Sequence, residues 1–169
     1  PKTGELTEGF KERGFLPEAF INLLAVLGWN DGTEQELYSM EELIENFSMD
    51  RVHAAGAKFD FEKAKWFNHE WIKKLPVTNY QARVKEIFES KGIEIKDDIY
   101  FTKVLELVKE RCPLLTDFFD QAVFFFVNPA SYDEASVKPK WDSDKNDFFA
   151  ELIKRYNRAA DWNISSIET

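Results

Sequence analysis

Cysteine occurs once in the 169-residue chain, at Cys112. One cysteine excludes an internal disulfide and any zinc site with paired Cys/His spacing. It also fits a reducing, cytoplasmic setting. No apolar run approaches the ~20 residues that cross a bilayer. The residues before Phe15 are polar, so no signal peptide is expected. A glycine-rich, phosphate-cradling loop is missing as well. Pro1 stands where an initiator Met belongs, so a processed chain or fragment is expected.

Positive charge is scarce. The 22 Lys and Arg are outweighed by 31 Asp and Glu, for a net charge of −9. This counts against general nucleic-acid affinity, DNA included. A local basic face is still open, because cations cluster at Lys63, Lys65, Lys73 and Lys74, at Lys109 and Arg111, at Lys138 and Lys140, and at Lys154, Arg155 and Arg158. Catalytic groups are thin. His53 and His69 lack an evident nucleophile or metal partner and read as surface or capping residues. Nothing local pairs Cys112 with a histidine. Glu41-Glu42 and Asp97-Asp98 sit at helix starts, where the helix dipole favours them. No catalytic residue, metal site or cofactor site is expected in this chain.

Aromatics and apolar residues, at 15% and 44%, are plentiful enough for a packed core. The helical signals are frequent. Pro17 suits a first helical turn and Gly28 the residue just past an end, with Phe20, Ile21, Leu23, Leu24 and Leu27 on one broad face. Ser39-Met40-Glu41-Glu42 is a capping box opening a helix to about Phe47, with Leu43, Ile44 and Phe47 inward. Residues 51–58 read as a short or broken piece. Asp60 caps a helix from Phe61 to about Ile72, with Ala64, Phe67 and Trp71 on one face. After the break at Leu75-Pro76, further helices are predicted from Thr78 or Asn79 to Ser90, from Asp98 to about Arg111, and from Thr116 to Phe126. Residues 130–141 read as loop. A last helix runs from about Lys145 to Arg158, capped by Ser143 or Asp144, with Phe148, Phe149, Leu152, Ile153 and Tyr156 on its apolar side. Residues 165–168 look like the opening of another. Trp66, Trp71, Trp141 and Trp162 are expected as core anchors. The fold class is all-α, in two packed helical units meeting near residues 74–78.

Three ordered blocks go further. Gly14-Phe15-Leu16-Pro17-Glu18-Ala19 through Leu27-Gly28-Trp29 resembles the segment that follows the catalytic domain in bacterial glutamyl-tRNA synthetases, class I aminoacyl-tRNA synthetases. Ser39 to Phe47 resembles the acidic helix that comes next. Phe59-Asp60-Phe61-Glu62-Lys63 with Trp66-Phe67-Asn68 resembles that family's Phe-Asp-x-x-Lys…Trp-x-Asn signature. The resemblance is specific over about residues 9–72 and looser beyond, where it rests on helix order and Glu110-Arg111.

The resemblance implies a stem-contact domain at 1–75, a first helical anticodon-binding subdomain at 76–164 and the start of a following subdomain at 165–169. It implies a parent ligase, a monomer in the cytoplasm, that joins glutamate to tRNA(Glu) with ATP and Mg. This piece lacks the catalytic fold and would only bind tRNA. The all-helical second half separates it from the glutaminyl relatives, whose anticodon region resembles β-barrels. Arg111 falls where the family places an arginine that reads the third anticodon base. Its donors suit the acceptor edge of cytosine and offer nothing to the donor groups of guanine. Lys63, Lys65, Lys73 and Lys109 are candidates for tRNA phosphate contacts. Asn22, Trp66 and Asn68 match family positions and are expected to hold the fold. The composition leaves one alternative, an acidic helical protein-interaction module without RNA binding. A continuous basic strip joining Lys63–Lys74 to Arg111 would separate the two.

Overall fold

A computed structural model of the chain describes residues 8–53, 58–159 and 163. Among these the architecture is all-α, and the sole β feature is an isolated antiparallel bridge between Trp29 and Val52. Trp162 and the helix opening expected at 165–168 lie outside the described residues. The helices are α1 (Pro17–Gly28), α2 (Met40–Asn46), α3 (Phe61–Lys74), α4 (Gln81–Ser90), α5 (Asp98–Val108), α6 (Asp117–Ala122), α7 (Glu134–Val137) and α8 (Ser143–Arg158). The chain divides into a compact unit at residues 1–128 and a second at 129–169.

In the first unit α1 packs on α3, and the main core runs on through α4, α5 and α6. Leu16, Trp71 and Ile72 share one cluster with Val77, Tyr80, Val84, Phe101, Leu105 and Phe118. The apolar packing therefore continues across the Leu75-Pro76 break. Pro76 does end α3, since the extended backbone at Leu75 is what a following proline demands.

Local chemistry explains most boundaries. Ser39 Oγ accepts from the Glu42 backbone N–H at 3.2 Å, and Glu42 Oε2 accepts from the Ser39 N–H at 2.7 Å, which closes the capping box on α2. Asp60 Oδ1 accepts from the N–H groups of Glu62 and Lys63 at the start of α3. Gly92, at φ +82°, ends α4 in the left-handed region open to glycine.

Several expectations are corrected. Gly28 is the last residue of α1 and not the residue beyond it. The helix ends by passing into the extended Trp29–Val52 bridge, and the Gly28 carbonyl accepts from the His53 N–H at 2.8 Å, so no left-handed cap is needed. Ile44 and Phe47 are exposed and only Leu43 of that trio is buried, because α2 is a two-turn helix covered on a single side. Ile21 and Leu24 of α1 are exposed for the same reason. The predicted helix to Arg111 tightens after Val108 into a 3₁₀ turn at Lys109–Arg111, and Asp97 caps its start. The predicted 116–126 helix splits into α6 and a 3₁₀ turn at Val123–Phe125.

In the second unit, residues 130–141 are not all loop. Asp133 caps the short α7, and a 3₁₀ turn follows at Lys138–Lys140. Asp142, not Ser143 or Asp144, caps α8 by accepting from the Lys145 N–H at 3.0 Å. No residue of α8 is buried. Trp141 lies flat on Phe149, with ring centroids 5.2 Å apart, and its Nε1 donates to Asn146 Oδ1 at 2.5 Å. It is a partly exposed stacking residue and not a core anchor.

Candidate nucleic-acid interface

Arg111 sits at the end of the α5 extension, on the 3₁₀ turn Lys109–Arg111. The last carbonyls of a helix have no partner within it and must find one elsewhere. Here they find several. The Cys112 N–H donates to the Lys109 carbonyl at 3.1 Å, and the Cys112 thiol points at the Val108 carbonyl, 3.4 Å away. His69 Nε2 lies 3.0 Å from the Glu110 carbonyl oxygen. A carbonyl only accepts, so that ring nitrogen carries the proton. Past Arg111, Asn68 Nδ2 donates to the Pro113 carbonyl at 2.6 Å, and the Leu114 N–H donates to Asp117 Oδ2 at 2.8 Å.

The same Asn68 reaches the start of α1. Its Oδ1 accepts from the N–H of Leu16, the residue just before α1, at 2.7 Å. The Leu115 N–H donates to the Gly14 carbonyl at 3.0 Å. Gly14 has φ +88°, and a Cβ there would sit 2.8 Å from the Thr116 backbone nitrogen and 2.9 Å from that of Leu115. Glycine is demanded twice at this position, by its backbone angle and by the close approach of residues 114–116. The opening segment of the chain and the turn carrying Arg111 are thus one hydrogen-bonded assembly, joined through α3.

Within this frame the Arg111 side chain is exposed and has no hydrogen-bond or ion-pair partner among the described residues. The lysines differ. Lys63 pairs with Glu36 at 2.5 Å, Lys65 with Glu62 at 3.1 Å, Lys109 with Glu106 at 2.7 Å, and Lys73 with Glu70. Lys63 and Lys65 also lie against the rings of Phe67 and Phe61. The four candidate lysines are each matched by a carboxylate, so they form no bare basic strip to Arg111. The Lys63–Glu36 and Lys65–Glu62 pairs are exposed, and such pairs are worth only about 0–1 kcal/mol, while Lys73, Glu70 and Lys109 are partly buried.

Next to Arg111, Cys112 is fully buried. Burial, with a smaller push from Asp117, drives its thiol up to about 12. It stays neutral and is no nucleophile at ordinary pH. His53 contacts Asn30 at the surface, 2.8 Å away. Among the described residues, no group of three His, Cys, Asp or Glu side chains is placed to hold a metal ion, and no helix is long and apolar enough to cross a membrane.

The three matched positions divide. Asn22 is buried, with Oδ1 accepting from the Tyr38 N–H at 3.0 Å and from Trp71 Nε1 at 3.1 Å, and Nδ2 donating to the Glu36 carbonyl at 2.8 Å. Asn68 is buried and satisfied as described above. Trp66 is not a core anchor. It is 42% exposed and meets Phe67 edge-on, because its position on α3 turns away from α1. The His69–Glu110 and Asn68–Pro113 bonds were missed from sequence. They join residues 41 and 45 positions apart, and no local signal marks them.

Comparison with known proteins places the chain in a family. The family model described as an anticodon binding domain matches residues 42–169. The model described as the catalytic domain of class I tRNA synthetases (E and Q) matches residues 3–66. The glutamate–tRNA ligase of Flavobacterium psychrophilum is 46% identical over 99% of the chain, and that of Flavobacterium johnsoniae is 43% identical over the same share. The chain spans about a third of the length of these relatives, 33% in both cases. A crystal structure of a glutamate tRNA ligase from Elizabethkingia meningosepticum, in complex with its amino acid, superposes with a TM-score of 0.82 at 34% identity, over 94% of this chain and 32% of that one. The glutamate–tRNA synthetase of Elizabethkingia anophelis gives 0.71 at 38% identity, over 82% and 28%. The chain belongs to the anticodon-binding domain family and is similar along nearly its whole length to bacterial glutamate–tRNA ligases.

Proposed function

We propose that this chain is the tRNA-binding part of a glutamate–tRNA ligase, an enzyme that attaches glutamate to tRNA(Glu) with ATP and Mg during translation in the cytoplasm, as a monomer. Residues 1–75 act as the stem-contact part and 76–164 as the first anticodon-binding subdomain, with a following subdomain starting at 165–169. The ATP chemistry resides elsewhere in the longer enzyme, and the residues of this chain bind and orient RNA. Arg111 reads the third anticodon base. Lys63, Lys65, Lys73 and Lys109 meet phosphates by exchanging their carboxylate partners for RNA.

The observation that carries this reading is the contrast at Arg111. Its backbone is tied on both sides, yet its guanidinium is exposed and unpaired. A planar group with five donors, held on a fixed turn, suits cytosine's acceptor edge and leaves guanine's donors unmatched. The test is charging by the longer enzyme of tRNAs that differ only in C or G at the third anticodon position. Arg111→Gln is expected to narrow the preference for C. An unchanged preference contradicts the assignment.

A further inference from the structure

The backbone around Arg111 is held chiefly by two consecutive side chains of α3, Asn68 and His69. Asn68 is wholly buried and serves α1 as well as the Pro113 carbonyl, so its loss damages the fold generally. His69 differs. It is partly exposed, and its one hydrogen bond among the described residues runs to the Glu110 carbonyl oxygen, immediately before Arg111. No other group among the described residues is hydrogen-bonded to that oxygen. The neighbouring Cys112 N–H is spent on Lys109, and the Leu114 N–H on Asp117.

The Glu110 carbon and oxygen belong to the same peptide plane as the Arg111 nitrogen. A donor fixed on Glu110 O therefore fixes the orientation of that plane, and with it the direction in which the Arg111 Cα–Cβ bond leaves the turn. The charged groups near this turn in sequence are Glu110, Lys109 with its partner Glu106, and Asp117. The carboxylate of Asp117 is engaged by the Leu114 N–H. None of them is hydrogen-bonded to Arg111. The orientation of the arginine is thus set through the peptide and not through its side chain.

We propose that His69 is a positioning residue for Arg111: by donating from Nε2 to the Glu110 carbonyl, it sets how sharply Arg111 discriminates between bases. The proposal rests on the reading of Arg111 as an anticodon contact. It also makes α3, the helix bearing Lys63, Lys65 and Lys73, the part that holds the reading turn in place.

The test is a double-mutant cycle in the full-length ligase carrying this segment. kcat/KM is measured for two tRNAs that differ only in C or G at the third anticodon base, alongside the thermal midpoint. His69→Ala is expected to reduce the C-over-G ratio about fivefold, the size of one lost hydrogen bond. His69→Gln, whose amide reaches the same oxygen, is expected to restore most of it. In the Arg111→Gln background, His69→Ala is expected to leave the ratio unmoved. A merely structural role would lower charging of both tRNAs together and would persist in that background, and either result overturns the proposal. A ratio that Arg111→Gln shifts but His69→Ala does not overturns the positioning role alone. A ratio that Arg111→Gln does not shift overturns the reading of Arg111 and this role with it.

Discussion

Asn68 in α3 donates to the Pro113 carbonyl at 2.6 Å, two residues beyond Arg111, while its other amide atom accepts from Leu16 at 2.7 Å. One buried side chain therefore joins the start of α1 to the turn on which the proposed anticodon contact stands. Asn68→Ala leaves a buried N–H and a carbonyl unpaired, each costing about 1–3 kcal/mol. Urea unfolding should show a loss of about 3 kcal/mol. Asn68→Asp, which keeps the acceptor for Leu16 but loses the donor to Pro113, should still destabilise clearly near neutral pH. A loss under about 1 kcal/mol for Asn68→Ala would mean the joint is not structural.

Gly14 tests the same joint from the other side. A Cβ at this position would stand under 3 Å from two backbone nitrogens, where no flexible side chain can yield. Gly14→Ala adds a left-handed backbone penalty of about 1–2 kcal/mol to that clash. The expected outcome is a thermal midpoint lowered by several degrees or more, as about 2 kcal/mol produces in a domain of this size. Gly28→Ala, with open space around its Cβ, is expected to be neutral or stabilising. Equal effects from the two substitutions would contradict the close approach.

Asn22 was legible as a buried polar residue from its place in an apolar helix. Its partners were not. Tyr38 and Trp71 arrive from 16 and 49 positions away. Asn22→Ala orphans the Trp71 indole N–H together with the Tyr38 N–H, so a loss of about 3 kcal/mol is expected. Trp71→Phe, which removes one donor, should cost less. In a double-mutant cycle the two losses should be less than additive, and strict additivity would contradict the shared contact.

Burial of Cys112 gives a pH dependence with a definite sign. Its thiol ordinarily titrates near 9.0 and is pushed up to about 12 in the folded chain. Between those values the unfolded chain releases a proton that the folded chain keeps, so stability falls as pH rises. The contribution is fully present below about pH 9 and is lost towards pH 12, by at most about 4 kcal/mol. Burial raises the Tyr80 hydroxyl as well, so part of the alkaline loss belongs to it. Urea unfolding from pH 7 to 11 should show the decline beginning near pH 9, and Cys112→Ala should reduce its early part. An identical profile for Cys112→Ala would contradict the assignment.

What the sequence revealed was local. The Ser39–Glu42 box, the Asp60 cap and the buried face of α3 through Ala64, Phe67 and Trp71 follow from neighbours three or four residues apart. What it concealed depends on which side the rest of the chain covers. Ile44 and Phe148 keep apolar helical spacing and are still 73% and 62% exposed. The candidate site divides in the same way. Arg111 was found by resemblance, but the carboxylates beside Lys63, Lys65, Lys73 and Lys109 emerge from the structure, three of them one helical turn from their lysine. In a chain of net charge −9, a carboxylate thus stands beside each of these four lysines, while Arg111 has none.

Direct binding measures the central claim. Fluorescence anisotropy with labelled tRNA(Glu) is followed from low to moderate salt, with random RNA of equal length as the comparison. If four lysines exchange carboxylates for phosphates, log K should fall against log salt with a slope of about −3. Lys63→Gln and Lys65→Gln should each reduce that slope, and Arg111→Gln should weaken tRNA(Glu) without weakening random RNA. No preference for tRNA(Glu) over random RNA at low salt, with no effect of Arg111→Gln, would contradict RNA recognition and leave the acidic protein-interaction module in its place.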